Sequence, residues 1–233
     1  MIKVNEIFGP TVQGEGKNAG KPVAFLRLAL CNLHCGWCDT KFTWSFVGES
    51  DDPEQYVREN EVHEMEVEEV LQKLVATGMS HLVISGGEPL LQHKQLVPLL
   101  RELKKLGWFA EVETNGTLVP GPEFLELIDQ INCSPKLSNA GDPLKLRIKE
   151  KSLTQLAAIG KVNFKFVIQN AIDLSEALPL IDKFGMKEVR LMPECRTPEE
   201  LAEKEPWLKA LCEERGFIYC TRLSILMGNK RGE

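Results

Sequence analysis

The sequence has no long hydrophobic run, no block of basic residues and no low-complexity linker, and each absence removes a class of protein. No apolar stretch approaches the roughly 18 residues of a membrane span. The N-terminal residues Met1 to Phe8 lack a signal peptide's hydrophobic segment and cleavage site, so the chain is expected to be cytoplasmic and to have no membrane partner. With a formal net charge of −6 and no run of five or six cations, it has no nucleic-acid footprint, and large polyanions are poor candidate substrates. Cysteine is present as seven residues, an odd number that without a secretion signal argues against a disulfide framework and for thiols kept reduced or bound to metal.

The remaining composition, 43% apolar and 27% charged over 233 residues, is that of a globular chain able to bury a sizeable core. One domain spanning 1–233 is expected, since domains usually run to about 100 to 200 residues and α/β barrels exceed that.

The most informative stretch is Cys31 to Thr40, C-N-L-H-C-G-W-C-D-T, directly after the apolar run Val23 to Leu30. Three thiols in a C-x3-C-x2-C pattern invite a metal, and three ligands leave one coordination position free for a small molecule, whereas four would close the site. The same residues also suit a partial zinc site completed by His34, or three unrelated buried thiols. Cys133, Cys195, Cys212 and Cys220 have no ligand spacing and read as small buried hydrophobes.

Before that stretch, Glu6 to Gly16 reads as a polar loop punctuated by glycine. Gln13 and Glu15 around Gly14 suit hydrogen bonding to a planar heterocycle, although plain turns need no more. Arg27 stands within an apolar strand, where a cation is costly unless paired, and its fork suits a carboxylate. The segment 41–65 has no steady period and reads as a surface excursion, with Trp37, Phe42, Trp44 and Phe46 packed around the cysteine loop.

Strand and helix patterns then alternate. Val67, Val70, Leu71, Leu74 and Val75 mark an amphipathic helix, and strands are predicted at His81 to Ser85, Trp108 to Glu113, Ile131 to Cys133, Asn163 to Ile168, Glu188 to Met192 and Phe217 to Cys220. Helices are predicted around Leu96 to Leu103, from Pro122, at Leu153 to Ile159, at Leu174 to Phe184 with a bend or late start at Pro179, and as two pieces flanking Pro206; Leu137 to Leu146 reads as loop. About six strands, each followed by a helix, predict an α/β fold of parallel β/α units, best fitted by an incomplete TIM-like β/α barrel, with a doubly wound open sheet also compatible. In either fold, ligands sit at the carboxyl ends of the strands. Those ends carry Cys31 to Thr40, Ser85 to Pro89, Glu113 to Asn115, Ser134 to Lys136 and Met192 to Cys195, so one mouth is expected to collect them.

The cysteine spacing is the signature of the radical S-adenosylmethionine (SAM) superfamily, and S-G-G-E-P at Ser85 to Pro89 resembles its segment for the SAM amino group. E-I-F-G-P-T-V-Q-G-E-G, C-D-T, E-T-N-G, S-P-K and the terminal G-N-K-R-G together resemble the 7-carboxy-7-deazaguanine synthases of queuosine and deazapurine biosynthesis, over nearly the whole chain. The resemblance implies a lyase that contracts the ring of 6-carboxy-5,6,7,8-tetrahydropterin to 7-carboxy-7-deazaguanine with loss of ammonia, through a 5′-deoxyadenosyl radical and with SAM regenerated.

It also implies residue roles. Cys31, Cys35 and Cys38 would hold a [4Fe-4S] cluster; Trp37, Cys38, Asp39, Gly87, Ser134, Pro135, Lys136, Met192, Pro193, Glu194 and Cys195 would line the SAM site; and Val12, Gln13, Gly14, Arg27, Ser85 and the terminal Glu233 would meet substrate. Glu15 would read the pterin's amino edge, Thr40 would bind Mg2+, and the segment 222–233 would close the substrate site. A homodimer and a reduced flavodoxin- or ferredoxin-type electron donor are implied as well. This chain departs from the family at Met192-Pro193, where Gln-Pro is frequent, and lacks the insertion some members carry between the first two cysteines. A radical SAM activase that places a glycyl radical on a partner protein, and a non-enzymatic metal-binding module, are the competing classes.

Overall fold

The computed structural model describes residues 1–228 and Arg231. The chain begins with two antiparallel strands, β1 (Ile2–Val12) and β2 (Pro22–Leu28). Residues 6–12, predicted as loop, therefore continue a strand. Their glycine and proline fit because the register shifts between Phe8 and Thr11, and a bulge spares the ladder the N–H that Pro10 lacks. The loop proper is only the turn that follows Val12.

The segment after the cysteines is not simply a surface excursion. Lys41 to Phe46 is buried, Lys41 is paired to Asp52 at 2.9 Å, and the chain returns through helix α1 (Arg58–Glu61) to strand β3 (His63–Met65), which pairs antiparallel with β1. Three residues are too few to show a period, so β3 left no mark in the pattern.

From there β/α units repeat: α2 (Val67–Ala76), β4 (His81–Gly86), α3 (His93–Lys105), β5 (Phe109–Thr114), α4 (Pro122–Leu127), β6 (Gln130–Cys133), α5 (Leu144–Arg147), α6 (Glu150–Ala157), β7 (Val162–Ile168), α7 (Ala171–Phe184), β8 (Arg190–Pro193), α8 (Pro198–Arg215), β9 (Ile218–Tyr219) and α9 (Leu223–Leu226). The sheet order is β3-β1-β2-β4-β5-β6-β7-β8-β9, with all neighbours from β2 to β9 parallel. This is an incomplete β/α barrel with seven parallel strands, one more than the pattern suggested.

The prolines inside α7 and α8 do not break their helices. In α8 the buried residues Leu201, Leu208 and Cys212 form one seam on both sides of Pro206, and Thr197 caps the start by accepting from the Glu200 N–H at 3.2 Å. In α7 an Asn170–Asp173 capping box and the buried Leu174, Ala177 and Ile181 carry the helix across Pro179. Packing outweighs the cost of about 3 kcal/mol for a proline in a helix interior. The predicted loop from Leu137 also contains α5, a single turn.

The strands alternate in a way that sets the barrel's interior. Ala110, Val112, Ile131, Phe164, Phe166 and Leu191 face outward into the apolar layer beneath the helices. The intervening Glu111, Glu113, Asn132, Lys165 and Arg190 face inward, so the barrel encloses a polar axis. No described helix is long and apolar enough to cross a membrane.

Candidate active site

The cysteine loop is seated by backbone geometry. As β2 ends, Leu30 adopts φ +77°, and its N–H donates to Thr43 O at 2.7 Å. The end of β4 presses against this turn: Gly87 N–H donates to Leu28 O at 3.0 Å and Glu88 N–H to Leu30 O at 2.9 Å. A Cβ on Gly86 would lie 2.1 Å from Leu28 O, and one on Gly87 2.0 Å from Leu30 O. Glycine at both positions thus serves contact with the base of the cysteine loop, a reason distinct from the ligand approach inferred from sequence.

Glu88, fully buried, accepts from Leu90 N–H at 2.9 Å, Thr114 Oγ1 at 2.8 Å and Asn115 N–H at 2.7 Å, tying β4 to β5. Asn115 in turn donates to Asn32 at 2.9 Å, and the far side of the loop is held by Gly36 N–H on Ala140 O at 2.9 Å, His34 N–H on Asp142 at 3.0 Å and Trp37 Nε1 on Asn139 at 3.2 Å. His34 stacks on Trp44, ring centroids 4.6 Å apart, and Trp44 Nε1 donates to Cys38 Sγ at 3.4 Å.

Cys31, Cys35 and Cys38 all border one cavity of about 770 Å³ at the carboxyl ends of the strands. Burial pushes the Cys31 thiol well up and the Cys35 thiol up to about 12, and each neighbouring thiolate would raise them further. Such thiols ionise when a cationic centre takes the proton's place. No three His, Cys, Asp or Glu side chains among the described residues converge as ligands of one metal ion. The three thiols, Cys35 buried and Cys31 and Cys38 half-buried, border one cavity and fit an iron–sulfur cluster as donor set, and Cys195, which also borders the cavity, turns its Sγ to Pro193 O at 3.6 Å.

The rest of the lining collects most of the residues singled out by sequence. Val12, Gln13, Gly14, Arg27 and Ser85 border the cavity, and so do Trp37, Asp39, Thr40, Gly87, Ser134, Lys136, Met192 and Glu194. Pro135 and Pro193 do not border the cavity, and Glu233 falls outside the described residues. Lys136 Nζ sits 5.3 Å from the Trp37 ring centroid and donates to Ser134 Oγ at 3.1 Å. Thr40 Oγ1 lies 3.5 Å from both Cys38 Sγ and Gly86 O.

Arg27 is not a lone cation. The β1–β2 register sets Glu6 opposite it, with Nε 2.6 Å from Glu6 Oε1, while the parallel register with β4 sets Ser85 on its other side. The guanidinium also lies 5.4 Å from the Phe8 ring and 5.7 Å from Phe42. Gln13, 2% exposed, spends its amide N–H on Glu111 at 2.7 Å and Glu113 at 3.4 Å.

Sequence reasoning passed over three further groups. Lys165, an inward residue of β7, is paired with Glu15 at 2.8 Å and Glu113 at 3.5 Å, and all three border the cavity. The charged residues alternating with apolar ones in β5 to β7 were the available signal. Arg222 binds Asp39 at 2.6 Å and Cys195 O at 2.5 Å; enclosure works against ionisation of Asp39, but Arg222 and Arg27 outweigh it and hold the carboxyl below its usual range, although the side chain is 64% exposed within the cavity. Arg231 lies over the Phe42 ring at 3.9 Å and pairs with Glu61. The C-terminal helix α9 packs on the turn after β1, Leu223 N–H donating to Gly14 O at 2.8 Å.

The comparisons with known proteins agree with this geometry. Residues 28–138 match the Radical SAM superfamily, a span that runs from the end of β2 through the cysteine loop and the Gly-Gly turn to just past the Ser-Pro-Lys segment after β6. The fold resembles the crystal structure of QueE from Escherichia coli, with a TM-score of 0.70 and 24% identity over 94% of this chain and 93% of that one. In sequence, the chain is 38% identical to the 7-carboxy-7-deazaguanine synthase of Pyrobaculum aerophilum over 100% of its length and 97% of the relative's. It is 32% identical to the synthase of Bacillus cereus over 99% and 98%. A barrel mouth with three cysteines around one cavity, carried on a sequence alike from end to end, leaves one assignment: the chain belongs to the 7-carboxy-7-deazaguanine synthase family of the radical SAM superfamily.

Proposed function

We propose that this chain is a magnesium-dependent carbon–nitrogen lyase, converting 6-carboxy-5,6,7,8-tetrahydropterin to 7-carboxy-7-deazaguanine and ammonia in queuosine or related deazapurine biosynthesis. The observation that carries the reading is the single cavity that three cysteines share with Arg27 and Glu15 in a chain alike over its full length to synthases of that name. Neither the activase nor the bare metal-binding module explains that full-length likeness.

Cys31, Cys35 and Cys38 would hold the [4Fe-4S] cluster. When bound, the cluster supplies the electron that splits SAM and so begins the radical chemistry. Trp37, Asp39, Gly87, Ser134, Lys136, Met192, Glu194 and Cys195 orient SAM from the lining, with Pro135 and Pro193 shaping the backbone beside them. Arg27 takes the pterin carboxylate with the guanidinium nitrogens that Glu6 does not use, and Val12 to Gly14 and Ser85 shape the pocket around the ring. Glu15 offers a carboxylate oxygen, Oε2, that is buried without a partner and suits the N–H groups of the pterin's amino edge. Thr40 would supply one hard oxygen to Mg2+, an ion that dehydrates reluctantly and would need few protein ligands. A cytoplasmic homodimer, with residues 222–233 closing the site and a flavodoxin- or ferredoxin-type protein as reductant, completes the reading.

The test is anaerobic turnover of the carboxytetrahydropterin with SAM, dithionite and Mg2+, followed by mass spectrometry. Conversion to the deazaguanine that is stimulated by Mg2+ supports the reading. Consumption of SAM with no change in the pterin sinks it.

A further inference from the structure

Inside the barrel mouth, charge is unevenly matched. Glu15, Glu111 and Glu113 lie together with one lysine, Lys165, among them. Glu111 is provided for: Asn18 donates to it at 2.6 Å, Gln13 at 2.7 Å and Gln130 at 2.8 Å, with His81 Nε2 at 3.7 Å. Glu15 has the closer hold on Lys165, at 2.8 Å, and Arg222 adds to it. Glu113 is left with Asn132 at 2.8 Å, a weak contact to Gln13 at 3.4 Å and the same lysine at 3.5 Å. Burial, and then the charges of Glu15 and Glu111, push its carboxyl up to about 7 against the opposing pull of Lys165. The thiols of Cys133 and Cys220 nearby add no positive charge.

Loss of ammonia from a ring carbon needs a proton for the leaving nitrogen and a base for the ring proton. We propose that Glu113 is the catalytic acid for this half of the reaction, and that Lys165, paired with both Glu113 and Glu15, is the positioning residue that holds it at the cavity. This rests on the function proposed above. In the step, the C–H bond breaks as its proton passes to water in the cavity, and its electron pair forms the ring double bond. The C–N bond breaks with its pair on nitrogen, which takes the proton of Glu113 and leaves as ammonia. Glu113 then regains a proton from solvent, so no oxidant or reductant is consumed.

The experiment uses the cluster-loaded enzyme with pterin deuterated at the position of hydrogen abstraction. Deuterium passing into SAM reports the radical half, and ammonia with deazaguanine reports the elimination. In Glu113→Gln, product formation should fall at least about a hundredfold, the usual scale of acid–base catalysis. Deuterium exchange and KM should stay within about threefold, because glutamine keeps the shape and only the transition-state interaction is lost. Wild-type elimination should decline as pH rises through about 7, and the variant should lack that limb. Should Glu113→Gln fail to fold, Asn132→Ala removes the donor that favours the ionised Glu113 and must move the limb to higher pH. Equal product rates with an unchanged limb in Glu113→Gln, or an unmoved limb in Asn132→Ala, overturn the proposal alone. A wild-type enzyme that leaves the pterin untouched overturns it together with the function on which it rests.

Discussion

A methyl group on Gly87 would lie 2.0 Å from the carbonyl oxygen of Leu30, the residue that opens the cysteine loop. Both partners are backbone, so neither can swing aside as a flexible side chain would. Gly87→Ala is expected to displace the base of the loop and destabilise the fold by about 1 to 3 kcal/mol, the usual range for overpacking. For a chain of this size that lowers Tm by several degrees, about 2 to 4 °C for each kcal/mol. Calorimetry and iron content check it: a variant with wild-type Tm and full iron means the turn relaxes elsewhere and the glycine is there for the ligand.

Cluster binding should depend on the loop thiols and not on the distant ones. Cys35→Ala removes one of three cavity-facing thiols while the apolar layers under the helices stay intact, so the variant is expected to fold and to lose both iron and SAM cleavage. Cys212 is buried in the seam of α8, so Cys212→Ala should keep its iron at a stability cost of about 1 kcal/mol for a small void. Anaerobic iron analysis and visible absorbance separate the two. Iron lost from the Cys212 variant would mean a fourth ligand.

The interior carboxylates make stability depend on pH in two opposite senses. Burial raises the Glu113 pKa to about 7, so the folded state holds that proton more tightly than the unfolded one. Its contribution is complete below the ordinary carboxyl value of 4.5 and is lost as pH rises through about 7. Glu111 is the reverse: burial opposes its charge, but donors from His81, Asn18 and Gln13 outweigh that and hold the pKa below 4.5, so its contribution is lost as pH falls beneath that value. Stability should peak near pH 5 and decline towards pH 8 by a few kcal/mol, since each tenfold difference in proton affinity between the folded and unfolded chain corresponds to about 1.4 kcal/mol. Glu113→Gln should flatten the alkaline side and Glu111→Gln the acid side. Thermal scans across pH in which Glu113→Gln keeps the wild-type slope contradict this.

Much of this was legible in the chain because the patterns are local. The C-x3-C-x2-C spacing, the Gly-Gly turn after an apolar strand and the 3.6-residue periods of the helices need only neighbouring residues, and they placed the cavity at the correct end of the barrel. Pairings across the fold were not legible. Nothing near Arg27 in the sequence announces Glu6, 21 residues earlier, because the pair is made by β1–β2 register, and the reading of residues 6–12 as loop hid that strand. Lys165 was missed for a related reason, and so was its pairing with Glu113, a residue expected at the mouth only as a strand end. Inward charge looks like solvent-facing charge until the barrel closes around it.

Arg27 and Glu6 together make the sharpest test of the substrate site. Glu6 binds Nε at 2.6 Å, which fixes the guanidinium against the rings of Phe8 and Phe42 and leaves the terminal nitrogens for an incoming carboxylate. Arg27→Ala removes a charged hydrogen bond to substrate worth about 1.5 to 3 kcal/mol, so kcat/KM for the pterin should fall roughly tenfold to more than a hundredfold while SAM affinity is unchanged. Arg27→Lys should recover only part, because an ammonium cannot serve Glu6 and a planar carboxylate at once. Glu6→Gln keeps a hydrogen-bond acceptor but removes the competing negative charge. It should leave kcat nearly unchanged and alter KM, whereas a Glu6 that acts in the chemistry would lower kcat. Steady-state kinetics at several Mg2+ concentrations, beside SAM affinity for each variant, decide it. If Arg27→Ala weakens SAM binding and leaves the pterin KM alone, the carboxylate is held elsewhere on the lining and Arg27 serves the cofactor.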